Sequence, residues 1–267
     1  MPKLSKLDWK QCNPNADLVY SMDTTSKTHE NKSVRVLAKV PGEKPQPIYI
    51  QAPPLVLKFG VEEKEIPTAK HPNAKKYYAP LTFPTVRKDE DGKLFCDQGY
   101  QDQLGFVNFL YELDEANMGV AFMNVKPWFN KPMKKDVLEE LYYKNLRKPK
   151  EEQKFSPTFS TKLIYNNDKG EFTTKMVDKK GNPIGINDLV KGCTVVPLLK
   201  THGLWFAGKS FGMSFQIAQI MVIDTPDIYD ELAIEYKDPN AMQEETEEDG
   251  EGYSIDYEEP SAKRQRS

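Results

Sequence analysis

Cysteine and histidine are scarce in this chain of 267 residues, three of each. Cys12, Cys96 and Cys193 stand far apart and are odd in number, which excludes a disulfide framework and a clustered zinc site and points to a reducing compartment. His29, His71 and His202 lie in unrelated segments, with no Ser-His-Asp or Cys-His set around them. The pairs Glu62-Glu63 and Glu139-Glu140 read as solvated carboxylates. No catalytic constellation emerges, so the expectation is a protein that is not an enzyme and uses neither metal nor cofactor. No apolar run approaches the ~18 residues that a bilayer span needs. The opening MPKLSKLDWK lacks the apolar core of a signal peptide. A soluble, intracellular protein with no membrane partner is expected. No internal repeat is evident.

Charge, by contrast, is plentiful at 29% of residues, and it is unevenly spread. Residues 238–267 hold ten acidic and three basic side chains, a charge of −7, which leaves +4 on residues 1–237. A mildly basic body suits a polyanionic ligand, and an acidic tail imitates one. The plainer reading is a solvated tail that aids solubility. The cluster Lys263-Arg264-Gln265-Arg266 has the composition of a nuclear import signal or of a simple basic end. An import signal there would direct the protein to the nucleus.

The densest information lies between Lys191 and Asp224. Thr194–Lys200 is β-branched and apolar, Thr201-His202-Gly203 reads as a turn, and Leu204–Lys209 is aromatic and basic. Gly208 and Gly212 bracket a bend before the apolar run Met213–Ile223. Three strands with tight turns are expected. Trp205, Phe206, Phe211 and Phe215 fall within eleven residues, interleaved with Lys200 and Lys209. Rings that stack on bases beside ammonium groups that meet phosphates are what a single-stranded nucleic acid requires. Alternation cannot place every ring outside. It puts Trp205 with Ala207 and Lys209 on one side and Phe206 in the core.

The rest of the chain frames this stretch. Residues 1–32 read as an irregular lead-in. Strands are expected at Ser33–Val40, Ile48–Gln51 and Leu55–Gly60. Glu62–Asp97 reads as loop. Within it Lys70, Lys75 and Lys76 adjoin Tyr77 and Tyr78, either as a clamp over a bound strand or as a surface loop whose tyrosines pack on the body. Helices are expected at Gln98–Asn117, on the apolar spacing of Leu104, Val107, Phe109, Leu110 and Leu113, and at Lys134–Lys148. Strands resume at Phe155–Tyr165 and Glu171–Asp178 around a hairpin signal at Asp168 and Gly170. Phe159 and Phe172 fit either face or core. Thr225–Tyr236 reads as a short segment against the body. Strands, two helices and more strands describe a mainly β fold with inserted helices. The simplest form is an OB-fold-like small β-barrel over residues 33–237, with a helical insertion and a disordered acidic tail at 238–267.

One motif pulls the other way. Gly203–Ser210 satisfies the G-x-x-x-x-G-K-[ST] phosphate-loop pattern, and Ile220–Asp224 resembles the acidic strand that accompanies it. Leu-Trp-Phe-Ala would crowd a phosphate cradle. Phe211-Gly-Met-Ser-Phe favours a strand where a helix N-terminus is needed. Only 57 residues follow Ser210, too few for the rest of an α/β nucleotidase.

Lys191-Gly192, the LWFAGKSFG segment and the run Gln216–Val222 resemble the OB-fold single-stranded-DNA-binding proteins of nucleocytoplasmic large DNA viruses, the phycodnavirus, mimivirus and African swine fever virus type. The likeness is best over Phe155–Asp224. It implies a protein that coats and protects single-stranded DNA in viral replication, recombination and repair, with replication proteins as further partners through the acidic tail. The tail departs from that of phage and bacterial single-strand-binding proteins in ending on basic residues. The candidate binding residues are Trp205, Phe211 and Phe159 as rings and Lys162, Lys175, Lys200 and Lys209 as phosphate partners, with Lys75, Lys76, Tyr77 and Tyr78 from the clamp segment. The alternatives are an interaction module whose aromatics are all core or interface, and the phosphate-loop nucleotidase.

Overall fold

The computed structural model describes residues 6–21, 33–67, 71–208 and 210–226. Two long antiparallel strands, Thr194–Ala207 and Ser210–Asp224, form its spine. They are paired from Ala207↔Ser210 outward, and Gly208 at φ +58° supplies the positive dihedral that a two-residue hairpin connection demands. Every other main strand is laid along one edge of this hairpin. Thr194–Ala207 takes Ser33–Ala38, Gln46–Gln51 and Leu55–Val56, all antiparallel. Ser210–Asp224 takes Tyr142–Tyr143, Thr161–Leu163 and Lys175–Asp178, all parallel. Outside these lie Lys75–Tyr78 and Glu62–Glu65 on one flank, and Leu81–Thr82, Thr158–Phe159 and Leu146–Arg147 on the other.

The fold is mainly β with a few helices, but the sheet does not close into the expected barrel. Its path has two free ends, at Leu146–Arg147 and at Glu62–Glu65. Closure would require those end strands to pair. Glu62–Glu65 is an exposed run of charge, the composition that keeps a sheet edge unpaired.

The predicted turn at Thr201-His202-Gly203 is a β-bulge within one continuous strand. The register steps from Thr201↔Phe215 to Leu204↔Met213, so three steps on one strand answer two on the other. Gly203 lies at φ +119°, and a Cβ there would stand 2.1 Å from the Val34 carbonyl oxygen. Glycine marks a close backbone crossing here rather than a chain reversal. The bend bracketed by Gly208 and Gly212 is present at its first end, where the chain reverses between Ala207 and Ser210, while Gly212 sits inside the second long strand.

Glu62–Asp97 contains a hairpin rather than only loop: Glu62–Glu65 pairs with Lys75–Tyr78, and Glu63 holds the Lys75 ammonium at 2.7 Å. The long helix spans Gln101–Met123, beyond the predicted end at Asn117, because Ala116 and Ala121 continue its buried face. The second predicted helix is cut short. Lys135–Leu141 is helical, and Tyr142–Tyr143 and Leu146–Arg147 join the sheet. Part of the predicted lead-in is also structured. Leu18–Tyr20 pairs with Val36–Ala38, and Trp9 lies on Phe106 with ring centroids 5.2 Å apart. Thr225 and Pro226 are exposed, whereas the rest of the predicted segment to Tyr236, the acidic tail and the basic end lie outside the described residues. Among the described residues no helix is long and apolar enough to cross a membrane.

The core fills the inner face of the hairpin. Leu199, Thr201, Leu204, Phe211, Met213, Phe215 and Ile217 are all buried and alternate along their strands. Phe106, Val107, Leu110 and Leu113 of the long helix belong to the same cluster. A buried polar network sits beside it. Tyr142 donates its hydroxyl to Asp114 at 2.7 Å, Asn145 donates to the same carboxylate at 2.6 Å, and Asn117 donates to Tyr142 at 3.0 Å. Burial pushes the Asp114 carboxyl above its ordinary range against these bonds. With Tyr142 pinned inward, its strand neighbour Tyr143 must face outward.

Candidate nucleic-acid interface

The outer face of the hairpin carries a continuous row of side chains. Register partners on adjacent strands point to the same face of a sheet. Tyr49 pairs with Lys200, Lys200 with Gln216, Gln216 with Lys162, and Lys162 with Tyr78. Four strand spacings of about 4.8 Å make this row roughly 19 Å long. It has a tyrosine at each end and a lysine beside each tyrosine. The Lys200 ammonium lies 5.7 Å from the Tyr49 ring centroid, and the Lys162 ammonium 5.5 Å from that of Tyr78. Such cation–π contacts hold ring and charge in one place without neutralising either. Lys64 approaches Tyr78 at 5.1 Å from the next strand but pairs with Glu62 at 3.2 Å.

Among the described residues no carboxylate forms an ion pair with Lys162 or Lys200. Lys162 is half-buried. Desolvation, and then the like charge of Lys76, hold its ammonium below the ordinary lysine range. His202 stands next to Lys200 on the bulge. Burial, Lys200 and Arg35 lower its pKa, while a hydrogen bond with Gln216 acts in the opposite sense. The centre of the face is thus built from cations with little to balance them.

The bulge brings Trp205 to this same face. Lys200 and Trp205 are five residues apart, and an unbroken strand would direct them to opposite sides. The extra residue between Thr201 and Leu204 reverses the parity. Accordingly Trp205 pairs with Gly212 and Lys200 with Gln216, two positions of equal parity on the unbulged partner. Tyr143 also pairs with Gly212, and its ring centroid is 6.0 Å from that of Trp205. Gly212 keeps the space between them open: a Cβ there would stand 2.7 Å from the Tyr143 carbonyl oxygen and 3.3 Å from Cζ2 of Trp205. Arg147 lies 5.7 Å from the Tyr143 centroid and donates through Nε to the Tyr143 hydroxyl at 3.0 Å.

Of the residues singled out in the sequence, Trp205, Lys200, Lys162 and Tyr78 come together on this face. Lys76 is exposed beside it, and Lys175 is exposed on a flanking strand, paired with Gln219. Phe206 packs on Phe211 with centroids 5.7 Å apart, on the opposite side from Trp205. Four assignments are corrected, three rings and one charge. Phe211 and Phe159 are 0% exposed, and each such buried ring gives the fold about 1.5–3 kcal/mol rather than offering a stacking surface. Tyr77 is 8% exposed and enclosed by Tyr165 and Phe172, at 4.8 and 4.6 Å, because its strand turns alternate residues inward and Tyr78 takes the outer place. Lys75 is held by Glu63. Lys209 and Lys70 lie outside the described residues. The phosphate-loop motif forms no phosphate loop: Gly203–Ala207 lies within a strand, Gly203–Trp205 pairs with Ser33–Arg35, and Ser210 begins a strand instead of a helix.

Tyr49, Tyr143, Arg35, Arg147, Gln216 and His202 were not legible as members of this face. Tyr143 had a usable signal in the Tyr142-Tyr143 doublet, which a helical reading of Lys134–Lys148 concealed. Tyr49 sits in the short alternating run Ile48–Gln51, where strand parity alone would have turned it away from Ile48 and Ile50. Among the described residues no group of histidine, cysteine and carboxylate side chains converges to hold a metal ion.

Residues 103–237, just over half of the chain, match a family model described as a family of unknown function, DUF5871. The chain belongs to that family. The matched span carries the long helix and the whole central hairpin, and so most of the face described above. No curated protein matches the chain. The fold is similar to that of a single-stranded DNA-binding protein from bacteriophage Enc34, at 12% identity and TM-score 0.38 over 82% of this chain and 96% of that one. The structure of that phage protein in complex with ssDNA is similar at 11% identity and TM-score 0.38, covering 76% and 94%. So is gp2.5, a single-stranded DNA-binding protein encoded by bacteriophage T7, at 14% identity and TM-score 0.39, covering 71% and 98%.

Proposed function

We propose that this member of the family binds single-stranded DNA across the outer face of its central hairpin, largely without regard to sequence. The observation that carries the reading is the row Tyr49–Lys200–Gln216–Lys162–Tyr78, in which a half-exposed ring at each end flanks an ammonium group with no carboxylate partner among the described residues. Bases stack on Tyr49, Tyr78, Trp205 and Tyr143, and phosphates meet Lys162, Lys200, Arg35 and Arg147. Stacking on a ring and pairing with a phosphate are open to every base alike, so tolerance of sequence follows. On this reading the protein coats exposed strands in viral DNA replication, recombination and repair, needs no cofactor, and cuts nothing.

The test is an anisotropy titration of oligo-dT, oligo-U and duplex at two salt concentrations. Salt-sensitive binding that favours single strands over duplex is expected. Trp205→Ala should weaken oligo-dT binding by ~1–3 kcal/mol, the worth of one stacked base. A folded protein with no salt-sensitive affinity for oligo-dT would sink the reading. It would favour an interaction module whose rings serve only packing. Tryptophan fluorescence separates the two as well. Stacking quenches the Trp205 contribution on adding oligo-dT, and that quenching is lost in Trp205→Phe, whereas Trp128 is buried and Trp9 packs against Phe106, so both should respond little.

A further inference from the structure

A second cluster of rings and charge lies beyond the other end of the same long strand. Phe59 is 52% exposed and Phe155 48% exposed, although both are large apolar side chains. They come from segments almost a hundred residues apart and meet at one cation. The Lys58 ammonium is 5.9 Å from the Phe59 ring centroid and 5.3 Å from that of Phe155. Lys58 has no ion-pair partner among the described residues. The place is built rather than incidental. Gly60 supplies the positive φ of +71° that the turn needs, and the backbone and Cβ of Lys191 lie 3.7–3.8 Å from where its Cβ would be, which sets a second lysine against the residue that follows Phe59. Leu57 anchors the turn from below, with its carbonyl accepting from Gly192 at 2.9 Å and its amide donating to Cys193 at 2.9 Å.

The cluster connects to the proposed interface through the strand itself. Leu55–Val56 pairs with Thr194–Val195, at the N-terminal end of the strand that carries Lys200 and Trp205. Val195 and Leu55 are core, so Thr194 and Val56 turn to the outer face, the face of Lys200. From Thr194 to Lys200 the strand rises roughly 20 Å. A strand of nucleic acid that crosses the central row therefore meets a second set of rings and ammonium groups if it continues along the hairpin. The chemistry is similar: half-exposed aromatic faces, with Lys58 and Lys191 in no ion pair among the described residues although Glu151, Glu152 and Asp224 lie in the neighbourhood, a combination that suits bases and phosphates and suits a neutral apolar partner poorly.

We infer that Lys58, Phe59 and Phe155, with Lys191, form a second single-strand subsite, engaged only by oligonucleotides long enough to span from the central row. This inference rests on the single-strand reading of that row. The test compares oligo-dT of about eight and about thirty nucleotides, within and beyond the usual site size of one such face. The full-length Phe59→Ala/Phe155→Ala double variant should lose at least about tenfold in affinity for the long oligonucleotide and keep its affinity for the short one. Lys58→Gln should lower the salt dependence of long-oligonucleotide binding by about one phosphate contact. Photocrosslinking of wild-type protein to iodouracil-substituted dT requires no substitution, and should mark peptides containing Phe59 or Phe155 with the long probe alone. Wild-type affinity of the double variant at both lengths, or crosslinks confined to the central row, would overturn the subsite while leaving the row intact. Failure of the wild-type chain to bind either length would overturn both.

Discussion

Lys162 shows how one residue holds competing demands. Its ammonium is half-buried against Tyr78 and repelled by Lys76, and both effects disfavour the charged form in the free protein. An arriving phosphate offsets both. Lys162→Met should therefore leave the unliganded fold at least as stable in a thermal melt, yet weaken oligo-dT binding and lower the slope of log K against log salt by about 0.7. A large fall in melting temperature would show instead that the lysine supports the fold. His202 yields a pH signature. Burial, Lys200 and Arg35 hold its pKa below the ordinary histidine value, so the imidazole is neutral at neutral pH. Without ligand, a lowered histidine pKa costs stability as pH falls through the ordinary value, because the unfolded chain takes up the proton first. A phosphate nearby raises the pKa, so binding takes up a proton, and affinity should climb as pH falls from about 7.5 to about 6. Titrations at the two pH values check this, and His202→Gln should flatten the response.

At the scale of elements, the bulge at His202-Gly203 decides which side chains share a face. Gly203→Ala places a methyl group 2.1 Å from the Val34 carbonyl oxygen and 2.7 Å from the Val36 amide nitrogen, at a φ that alanine disfavours. Nothing flexible can yield there, so a loss of at least about 3 kcal/mol in urea unfolding is expected. A loss under about 1 kcal/mol would mean that the neighbouring strand shifts freely. The bulge also marks the limit of what could be read in advance. The apolar run Met213–Ile223 points to the second long strand, and the opposed faces of Trp205 and Phe206 follow from parity. Thr-His-Gly, however, has the composition of a turn and of a bulge alike, and only the partner strand distinguishes them. Tyr142 and Tyr143 defeated helical periodicity for a similar reason. A strand of two residues has no period, and its place is fixed by Asp114 and by Phe211, which no local pattern announces. Glu62–Glu65 looked like loop because charge and proline surround it, yet an outermost strand is where charge belongs.

For the whole molecule the relevant quantity is the split in charge, +4 on residues 1–237 against −7 on residues 238–267. If the cationic face binds DNA, an acidic segment on the same chain has the charge of a competitor for it. Removing residues 238–267 should tighten oligo-dT binding, most strongly at low salt where screening is least. Equal or weaker binding at every salt concentration would exclude that competition. The spine raises a different matter, the order in which the chain is made. Residues 33–56 wait for partners in 194–205, and three further strands wait for 210–224. Synthesis must therefore pass residue 210 before the central pairing can begin. Until then the early strands leave the ribosome with open edges and apolar faces, the condition that favours wrong partners and calls for chaperones. Nascent chains arrested before residue 194 should remain protease-sensitive along their whole β portion, and protection should appear in one step once the hairpin has cleared the exit tunnel.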